Sequence, residues 1–192
     1  IVLTGDAGIS RLSKVGRKVI PIYSIMILTE PLTEDQWSKI GWERRETIGS
    51  TRLSVDYLQR TKDGRILFGG RGRPYPFASK MKDNFDVHQP SIARLRERFP
   101  SVKNIHFTHS WGGPIGVTRN WAPNISYNDE TRVAHAWGFA GQGVSTTNLA
   151  GRILTDLIFQ RNSPLAELPM VNQNIRKWEV EPLRWLGANF VQ

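Results

Sequence analysis

The sequence contains no cysteine among its 192 residues, and this absence excludes several kinds of chemistry. Disulfide bonds, thiolate zinc sites, iron–sulfur clusters, cysteine nucleophiles and a cysteinyl link to a cofactor all require that residue. No apolar run approaches the roughly 20 residues of a membrane-spanning helix, and no secretory signal pattern is present. The lack of cysteine is compatible with a reducing compartment, so we expect a cytoplasmic protein.

Acidic residues are scarce relative to basic ones, with 17 Asp and Glu against 26 Lys and Arg and a net charge of +9. Such an excess attracts nucleic acids non-specifically. The basic residues are nevertheless spread along the chain, and no RNA-recognition, zinc-finger or helix-turn-helix pattern accompanies them. An anionic cofactor or substrate accounts for the charge at least as well. The four histidines lack the helical spacing of a zinc site, so no metal site is predicted.

The pattern of hydrophobic residues predicts an α+β fold with a mixed, largely antiparallel sheet and flanking helices. Hydrophobic residues make up 39% of the chain, enough to bury a core. β-Branched and aromatic residues mark the strands of this sheet. We expect these strands at residues 19–28, 53–60, 65–70 and 104–111. The turn signal Lys62-Asp63-Gly64 joins the second and third strands into a hairpin, and helix 90–99 should lie against the sheet.

Two details of this sheet follow from individual residues. Leu53, Val55 and Tyr57 alternate with other positions of their strand, which predicts that all three side chains face the core. Gly112-Gly113-Pro114 is expected to end the last strand, because glycine and proline interrupt regular structure.

A second group of elements comprises strands 1–4 and 131–137 and helix 144–160. The helix is the clearest in the chain, because Leu149, Ile153 and Leu157 recur every fourth residue. The chain opens inside an apolar run, Ile1-Val2-Leu3, without a methionine, which suggests a portion of a longer protein. We expect the first strand and the stripe of Ile153 and Leu157 to expose apolar surface, which a missing segment or a homodimer would cover.

Gly138, Gly141 and Gly143 form a turn between strand 131–137 and helix 144–160. A helix N-terminus presents unpaired N–H groups and a positive dipole end, and glycines let a ligand approach the backbone closely. This turn therefore suits an anion or a polarised carbonyl oxygen. Tight packing of the strand against the helix is the alternative. No acidic residue follows on a later strand about 20 residues on, so the turn is not a complete dinucleotide fingerprint.

Three further residues are candidates for a site. Trp111 precedes Gly112 and Gly113, which could flank a flat ligand or form a bulged turn under a structural tryptophan. Tyr57 and Arg71 bracket the hairpin. Tyr57 is either a core tyrosine with a satisfied hydroxyl or a pocket residue, and Arg71 either binds an anionic or carbonyl group or faces solvent.

These motifs occur along the chain in a specific order. They are Gly5, Val19-Ile20-Pro21, Thr29-Glu30-Pro31-Leu32, Asp56-Tyr57, Asp63 to Arg71, Trp111-Gly112-Gly113, Gly138 to Val144 and Leu149-Ala150-Gly151. The order resembles the C-terminal half of a flavoprotein of the D-amino-acid oxidase superfamily, over roughly residues 1 to 165. The stretches Glu30-Pro31-Leu32 and Leu67 to Arg71 look most like its gamma-glutamylputrescine oxidase branch.

The resemblance implies FAD as cofactor and a division of the chain into four parts. Residues 1–18 would form a remnant strand and turn of the FAD-binding domain, and residues 19–125 would form the substrate-binding domain. Residues 126–163 would supply the last strand, turn and helix of the FAD-binding domain, and residues 164–192 would form a C-terminal tail. The strand and helix of the third part would belong to an FAD-binding domain that is incomplete. The N-terminal half, which in such enzymes carries the Gly-rich diphosphate fingerprint, would be missing.

The resemblance also implies roles for individual residues. Gly5 would lie near the FAD diphosphate. The residues expected along the isoalloxazine are Gly138, Gly141, Gln142, Gly143 and Val144. Tyr57 matches a substrate-pocket tyrosine, and Tyr57, Arg71 and Trp111 are expected as catalytic residues. Relatives that act on amino acids grip the substrate carboxylate with arginines where this chain has Ile115 and Gly141, so Ile115 is expected to face an amine substrate.

The reaction implied is oxidation of a small-molecule amine by hydride transfer to flavin, giving an imine and, with oxygen, hydrogen peroxide. Two alternatives remain open: a non-catalytic binding module of the same fold, and a basic nucleic-acid-associated flavoprotein. The sequence argues against nucleic acid as the main partner.

Overall fold

The computed structural model describes residues 1–13, 15–51, 55–81 and 88–190. The chain divides into two compact units, one of residues 1–22, 75–81 and 114–188 and the other of residues 23–74, 82–113 and 189–192. In chain order, the strands and α-helices are β1 (Val2–Leu3), β2 (Val19–Thr29), α1 (Glu34–Ile40), β3 (Ile48–Gly49), β4 (Tyr57–Arg60), β5 (Ile66–Arg71), α2 (Gln89–Arg98), β6 (Phe107–Thr118), β7 (Asn124–Asn128), β8 (Val133–Trp137), α3 (Gly143–Ile158) and α4 (Leu183–Phe190).

Five strands form one sheet in the order β3-β4-β5-β2-β6. β2 pairs antiparallel with β5, with Ser24 opposite Arg71, and β4 pairs antiparallel with β5, with Tyr57 opposite Gly69. The predicted hairpin and the largely antiparallel sheet are confirmed.

The helices of the second unit begin and end at recognisable signals. α1 starts with a capping box between Thr33 and Gln36 and stops at Gly41, whose φ of 71° is left-handed. α2 carries Pro90 in its first turn, where no N–H partner is required. The core between these helices and the sheet consists of Ile27, Leu32, Trp37, Trp42, Leu58, Ile66, Phe68, Ile92, Leu95, Val102 and Ile105.

The predicted orientation of the side chains along β4 was wrong. Leu58 is buried, whereas Val55 and Tyr57 are 52% and 41% exposed. Leu53 lies outside the described residues. Leu58 pairs with the core residue Phe68 of β5, and alternation along the strand then turns its neighbours to the other face.

The predicted end of the last strand at Gly112 was also wrong, because β6 continues to Thr118. A Cβ at Gly112 would lie 2.5 Å from the Ser24 carbonyl oxygen and 2.6 Å from Ile25 Cδ1. The glycine therefore lets β6 pass closely beside β2 instead of breaking the strand.

The first unit contains a three-stranded sheet in the order β1-β8-β7. β1 runs parallel to β8, and β7 runs antiparallel to it. The two strands and the helix predicted here are confirmed, but β7 was not predicted because its alternating Asn and Ser residues are typical of loops. Ile1 and Val2 are exposed, as expected.

The predicted exposure of the α3 stripe was wrong at Ile153. Ile153 is fully buried and packs with Ala150 and Leu154 against the sheet. Leu165 and Leu168, which follow α3, pack against the same cluster. The chain therefore covers much of this helix face itself.

The C-terminal segment is attached within the first unit by Glu181. Its Oε1 accepts bonds from Arg184, from the Tyr75 hydroxyl at 3.0 Å and from the Ala78 N–H at 2.9 Å. Burial acts to raise the pKa of Glu181, but these donors outweigh it and lower the pKa. In the described part of the chain, no helix is both long and apolar enough to cross a membrane.

Candidate functional site

The turn between β8 and α3 needs glycine at two positions. Gly138 and Gly141 have φ angles of 76° and 89°, in the left-handed region that side chains disfavour. A Cβ at Gly138 would also lie 2.4 Å from Thr118 Cγ2. The turn is therefore shaped by both backbone conformation and close packing.

The N-terminus of α3 is open. Gln142 precedes the helix without a side-chain cap from the described residues, and the first turn contains no acidic residue. Val144 in that turn is 98% exposed. The first N–H groups of a helix have no partner within the helix, and they sit at the positive end of its dipole. These groups are available to an anionic or carbonyl oxygen.

Asp6 binds the first residue of the glycine turn through its carboxylate. Its Oδ1 accepts a bond from the Gly138 N–H at 3.0 Å, and its Oδ2 accepts one from the Gly116 N–H at 2.6 Å. The Ala140 N–H in turn donates to the Gly116 carbonyl oxygen at 3.2 Å. Sequence reasoning missed Asp6 and Gly116. The available signal was an acidic residue directly after Gly5, at the end of a predicted strand.

The structure brings several predicted residues together in this first unit. A Cβ at Gly141 would lie 3.5 Å from Ile115 Cδ1, so Ile115 adjoins the turn. Gly5 is joined to Gly138 through its neighbour Asp6. Ile115 is partly buried and packs in an apolar cluster with Ile20 and Val117. This side of the turn is therefore hydrophobic.

The second unit presents a separate cluster around Tyr57. The Tyr57 hydroxyl lies 2.7 Å from Ser24 Oγ. A Cβ at Gly69 would lie 2.1 Å from Tyr57 Cε2 and 2.5 Å from Met26 Sδ, so the ring lies across the glycine. The interpretation of Tyr57 as a buried core residue is wrong, because it is 41% exposed.

Arg71 shares this face of the sheet. It lies opposite Ser24, two residues beyond Gly69 on β5. It is half-buried, and burial lowers the pKa of its guanidinium. Trp111 is 46% exposed on β6, and β5 and β2 separate its strand from that of Tyr57.

A buried ion pair lies on the opposite face of the same sheet. Arg94 Nε of α2 is 3.0 Å from Asp56 Oδ1, and only 2% of the Asp56 side chain is exposed. A Cβ at Gly70 would lie 2.6 Å from the same oxygen. Arg94 Nη2 also donates to the Arg71 carbonyl oxygen at 3.3 Å. Arg94 thus ties α2 both to Asp56, which precedes β4, and to β5, the strand that carries Arg71.

His135 contacts two polar side chains in the first unit. Its Nε2 lies 2.6 Å from Asn124 Oδ1, and Ser126 Oγ lies 3.0 Å from its Nδ1. Burial, assisted by the charge of Lys18, lowers the pKa of His135 to about 4. Across the described ranges, no three His, Asp or Glu side chains converge in a way that could hold a metal ion.

Comparison with known proteins gives consistent matches. A family model described as FAD dependent oxidoreductase, DAO, matches residues 1–157. A probable oxidoreductase OrdL of Haemophilus influenzae is 29% identical over 163 residues, covering 82% of this chain and 35% of its own. The gamma-glutamylputrescine oxidoreductase of Escherichia coli is 28% identical over 159 residues, covering 81% and 36%. The chain thus spans about a third of the length of these curated relatives.

Solved structures share the fold at low sequence identity. A glycine oxidase from Geobacillus kaustophilus superposes with a TM-score of 0.63 at 16% identity, over 82% of this chain and 40% of its own. An iminodiacetate oxidase from a Chelativorans species gives a TM-score of 0.64 at 14% identity, over 89% and 46%. These likenesses concern the fold alone.

Proposed function

The chain belongs to the DAO family of FAD-dependent oxidoreductases, and we propose that it works in the oxidation of a small amine with FAD as electron acceptor. We further propose that it acts in the cytoplasm, together with an N-terminal half that carries the FAD diphosphate site. A homodimer remains a proposal. The division at residues 1–18, 19–125, 126–163 and 164–192 is kept as the proposed domain organisation.

The glycine turn at the open N-terminus of α3 is the observation that carries this proposal. Its backbone fits the polar edge of a flavin ring, because the first-turn N–H groups have no side-chain cap from the described residues. A Cβ at Gly143 would meet its nearest neighbour, Thr147 Cγ2, only at 3.8 Å, so a ligand can approach there. The proposed contacts come from Gly138, Gly141, Gln142, Gly143 and Val144, with Gly5 on the diphosphate side.

When bound, FAD supplies the ring that accepts a hydride from the carbon next to the substrate nitrogen. The protein's part at this end is electrostatic. The dipole of α3 stabilises negative charge placed at its N-terminus by about 0.3–2 kcal/mol. Its backbone N–H groups are already oriented, so they need no rearrangement as charge develops.

The substrate side of the proposal rests on the cluster in the second unit. The exposed ring of Tyr57, fixed by Ser24, gives an amine a flat apolar surface and a hydroxyl that can accept a hydrogen bond. Arg71 and Trp111 complete the proposed catalytic set. Loss of a hydride and a proton from the amine gives an imine, which water hydrolyses. Oxygen as final acceptor would yield hydrogen peroxide.

An amine substrate, of the gamma-glutamylputrescine type, is favoured over an α-amino acid. Ile115 and Gly141 lie side by side at the turn, and neither carries a cation. Recognition of a carboxylate is strongest through the paired N–H groups of arginine. The named activity of the Escherichia coli relative supports the same class of substrate.

The test uses the protein expressed from its natural reading frame. We expect flavin absorption bands and faster turnover of gamma-glutamylated or free polyamines than of glycine, proline or sarcosine. Peroxide detection, run in parallel with an artificial electron acceptor, separates oxidase from dehydrogenase activity. Faster turnover of the amino acids would overturn the substrate assignment, and a colourless protein would favour a non-catalytic binding module.

A paired substitution sharpens the substrate test. Ile115→Arg places a guanidinium beside Gly141 and should raise the kcat/KM ratio of sarcosine to polyamine. Ile115→Leu keeps the site apolar and should leave that ratio near the wild-type value.

A further inference from the structure

Asp6 joins three segments that are far apart in the sequence. Its two carboxylate oxygens accept one bond each, from Gly116, which is 110 residues away, and from Gly138, which is 132 residues away. Asp6 itself follows β1 and opens a short 3-10 helix, Asp6–Arg11. One side chain therefore links the end of β1, the late part of β6 and the first residue of the glycine turn.

The backbone of Asp6 is strained. Its φ is 39°, on the left-handed side, whereas the adjacent Gly5 has an ordinary φ of −76°. The glycine thus stands one residue before the position at which its freedom would be needed. A non-glycine residue in this region costs on the order of 1 kcal/mol or more and persists only where its surroundings fix it. The two side-chain bonds of Asp6 are interactions of that kind.

Gly116 packs closely against Asp6. A Cβ at Gly116 would lie 2.7 Å from Asp6 Oδ1 and 2.9 Å from the Ala7 nitrogen. Gly116 donates to Asp6 through its N–H and accepts from Ala140 through its carbonyl. Asp6 therefore holds the turn directly at Gly138 and, through Gly116, at Ala140.

We propose that Asp6 is the positioning residue of the glycine turn, and this inference rests on the proposed function of that turn in facing the flavin. The carboxylate sets the separation between β6 and the turn, and so fixes where the backbone at the start of α3 meets the ring. An ionised carboxylate suits this role because it has two acceptor oxygens and no donor. Both oxygens are occupied by backbone N–H groups, so the negative charge of Asp6 is compensated there rather than aimed at an anionic cofactor.

Asp6→Asn is the discriminating variant. An amide has nearly the same shape, but it offers one acceptor oxygen and turns an NH₂ group toward the second backbone N–H. Asp129→Asn is the matched control, because it removes the same charge from an exposed residue after β7. Asp6→Glu, which keeps both acceptor oxygens, is measured beside them.

The experiment uses the protein expressed from its natural reading frame and records three quantities. They are hydrogen exchange of the peptides containing Gly116 and Gly138, the dissociation constant of FAD, and the visible circular dichroism of the bound flavin. For Asp6→Asn we expect exchange at least about tenfold faster, an FAD dissociation constant raised about tenfold and an altered flavin dichroism. Asp129→Asn should match the wild type in all three.

The outcomes separate this inference from the proposed function. Wild-type exchange in Asp6→Asn overturns it, and so does faster exchange with unchanged FAD affinity and dichroism, because Asp6 would then only support the fold. If Asp6→Asn does not fold, recovery of the fold and of the flavin dichroism by Asp6→Glu supports it, and failure of Asp6→Glu to recover the dichroism overturns it. If the wild type retains no FAD, the proposed function fails, while the exchange rates still decide whether Asp6 holds the turn.

Discussion

The hydroxyl of Tyr57 lies 2.7 Å from Oγ of Ser24, and the tyrosine ring between them crosses the backbone of Gly69. Tyr57 is on β4 and Ser24 is on β2, and β5 separates their strands. The Tyr57 side chain therefore reaches across β5 to make this bond, and it can do so because Gly69 has no side chain. An exposed aromatic ring is fixed here by one hydrogen bond and one glycine.

Removal of the Ser24 hydroxyl should loosen Tyr57 without unfolding the protein. In Ser24→Ala we expect the KM for an amine substrate to rise about 3- to 10-fold with kcat nearly unchanged, because a hydrogen bond of about 0.5–1.5 kcal/mol is lost from a pre-oriented ring. Steady-state kinetics measures this. Tyr57→Phe removes the same bond together with the hydroxyl proposed to meet the substrate, so the double variant should be no worse than Tyr57→Phe alone. Additive effects would show that the two hydroxyls act separately.

Gly69 should not tolerate a side chain. The methyl group of Gly69→Ala would overlap the Tyr57 ring and Met26 Sδ, and we expect a loss of about 1–3 kcal/mol in the free energy of unfolding. Gly49→Ala, on β3, is the matched control because a Cβ there meets nothing within 4 Å. Urea denaturation measures both variants. Equal stabilities for the two would contradict the packing described for Tyr57.

The strands of the larger sheet could be predicted from composition, but which of their side chains are buried could not. Residues 57–60 alternate weakly, and the pairing of Leu58 with Phe68 decides which side is buried. Likewise, Gly112 resembles a strand end in sequence, whereas its actual role depends on the distance to Ser24. Local patterns identify an element, while contacts between elements set its register and its end.

The same distinction applies to the candidate site. Gly138 and Gly141 could be identified because a left-handed turn before a helix selects glycine locally. Asp6 was missed, because its partners are 110 and 132 residues away and an acidic residue directly after Gly5 does not by itself indicate which N–H groups it binds. Residues whose role depends on long-range hydrogen bonds leave little trace in a single sequence.

Breaking the Asp56–Arg94 ion pair should be costly. The Asp56 side chain is 2% exposed and that of Arg94 is 23% exposed, so Asp56→Asn leaves a largely buried cation with a weaker partner. We expect a loss of about 2–4 kcal/mol in the free energy of unfolding, somewhat below a fully buried case. Chemical denaturation provides the measurement.

Asp35→Asn is the control for this ion pair. Asp35 pairs with Lys39 at 2.6 Å, but its side chain is 72% exposed and solvent screens the interaction. Its loss should change stability far less than Asp56→Asn. Equal effects of the two variants would mean that burial does not strengthen the Asp56–Arg94 pair.

His135 should make folding stability depend on pH. Burial lowers its pKa in the folded state from 6.5 to about 4, so between these values the unfolded chain binds more protons than the folded one. Stability should therefore fall as the pH falls from about 6.5 to about 4. The free energy of unfolding, measured across that window, should vary less with pH in His135→Gln than in the wild type. His109→Gln, which changes an exposed histidine on β6, should retain the wild-type slope, and an unchanged slope in His135→Gln would show that His135 is not the titrating group.

The 192-residue chain expressed alone should not bind FAD tightly. A dissociation constant of 1 µM requires about −8.2 kcal/mol, and association itself costs about 4–15 kcal/mol of lost freedom. The glycine turn contributes a helix dipole worth about 0.3–2 kcal/mol and a few backbone bonds, and the sequence contains no Gly-x-Gly-x-x-Gly fingerprint for the diphosphate. We therefore expect only weak binding by fluorescence titration.

Because the chain carries a net charge of +9, the titration is repeated at about 0.5 M NaCl, where non-specific attraction to the diphosphate is screened. Submicromolar affinity that survives the salt would mean that this chain holds most of the FAD site by itself.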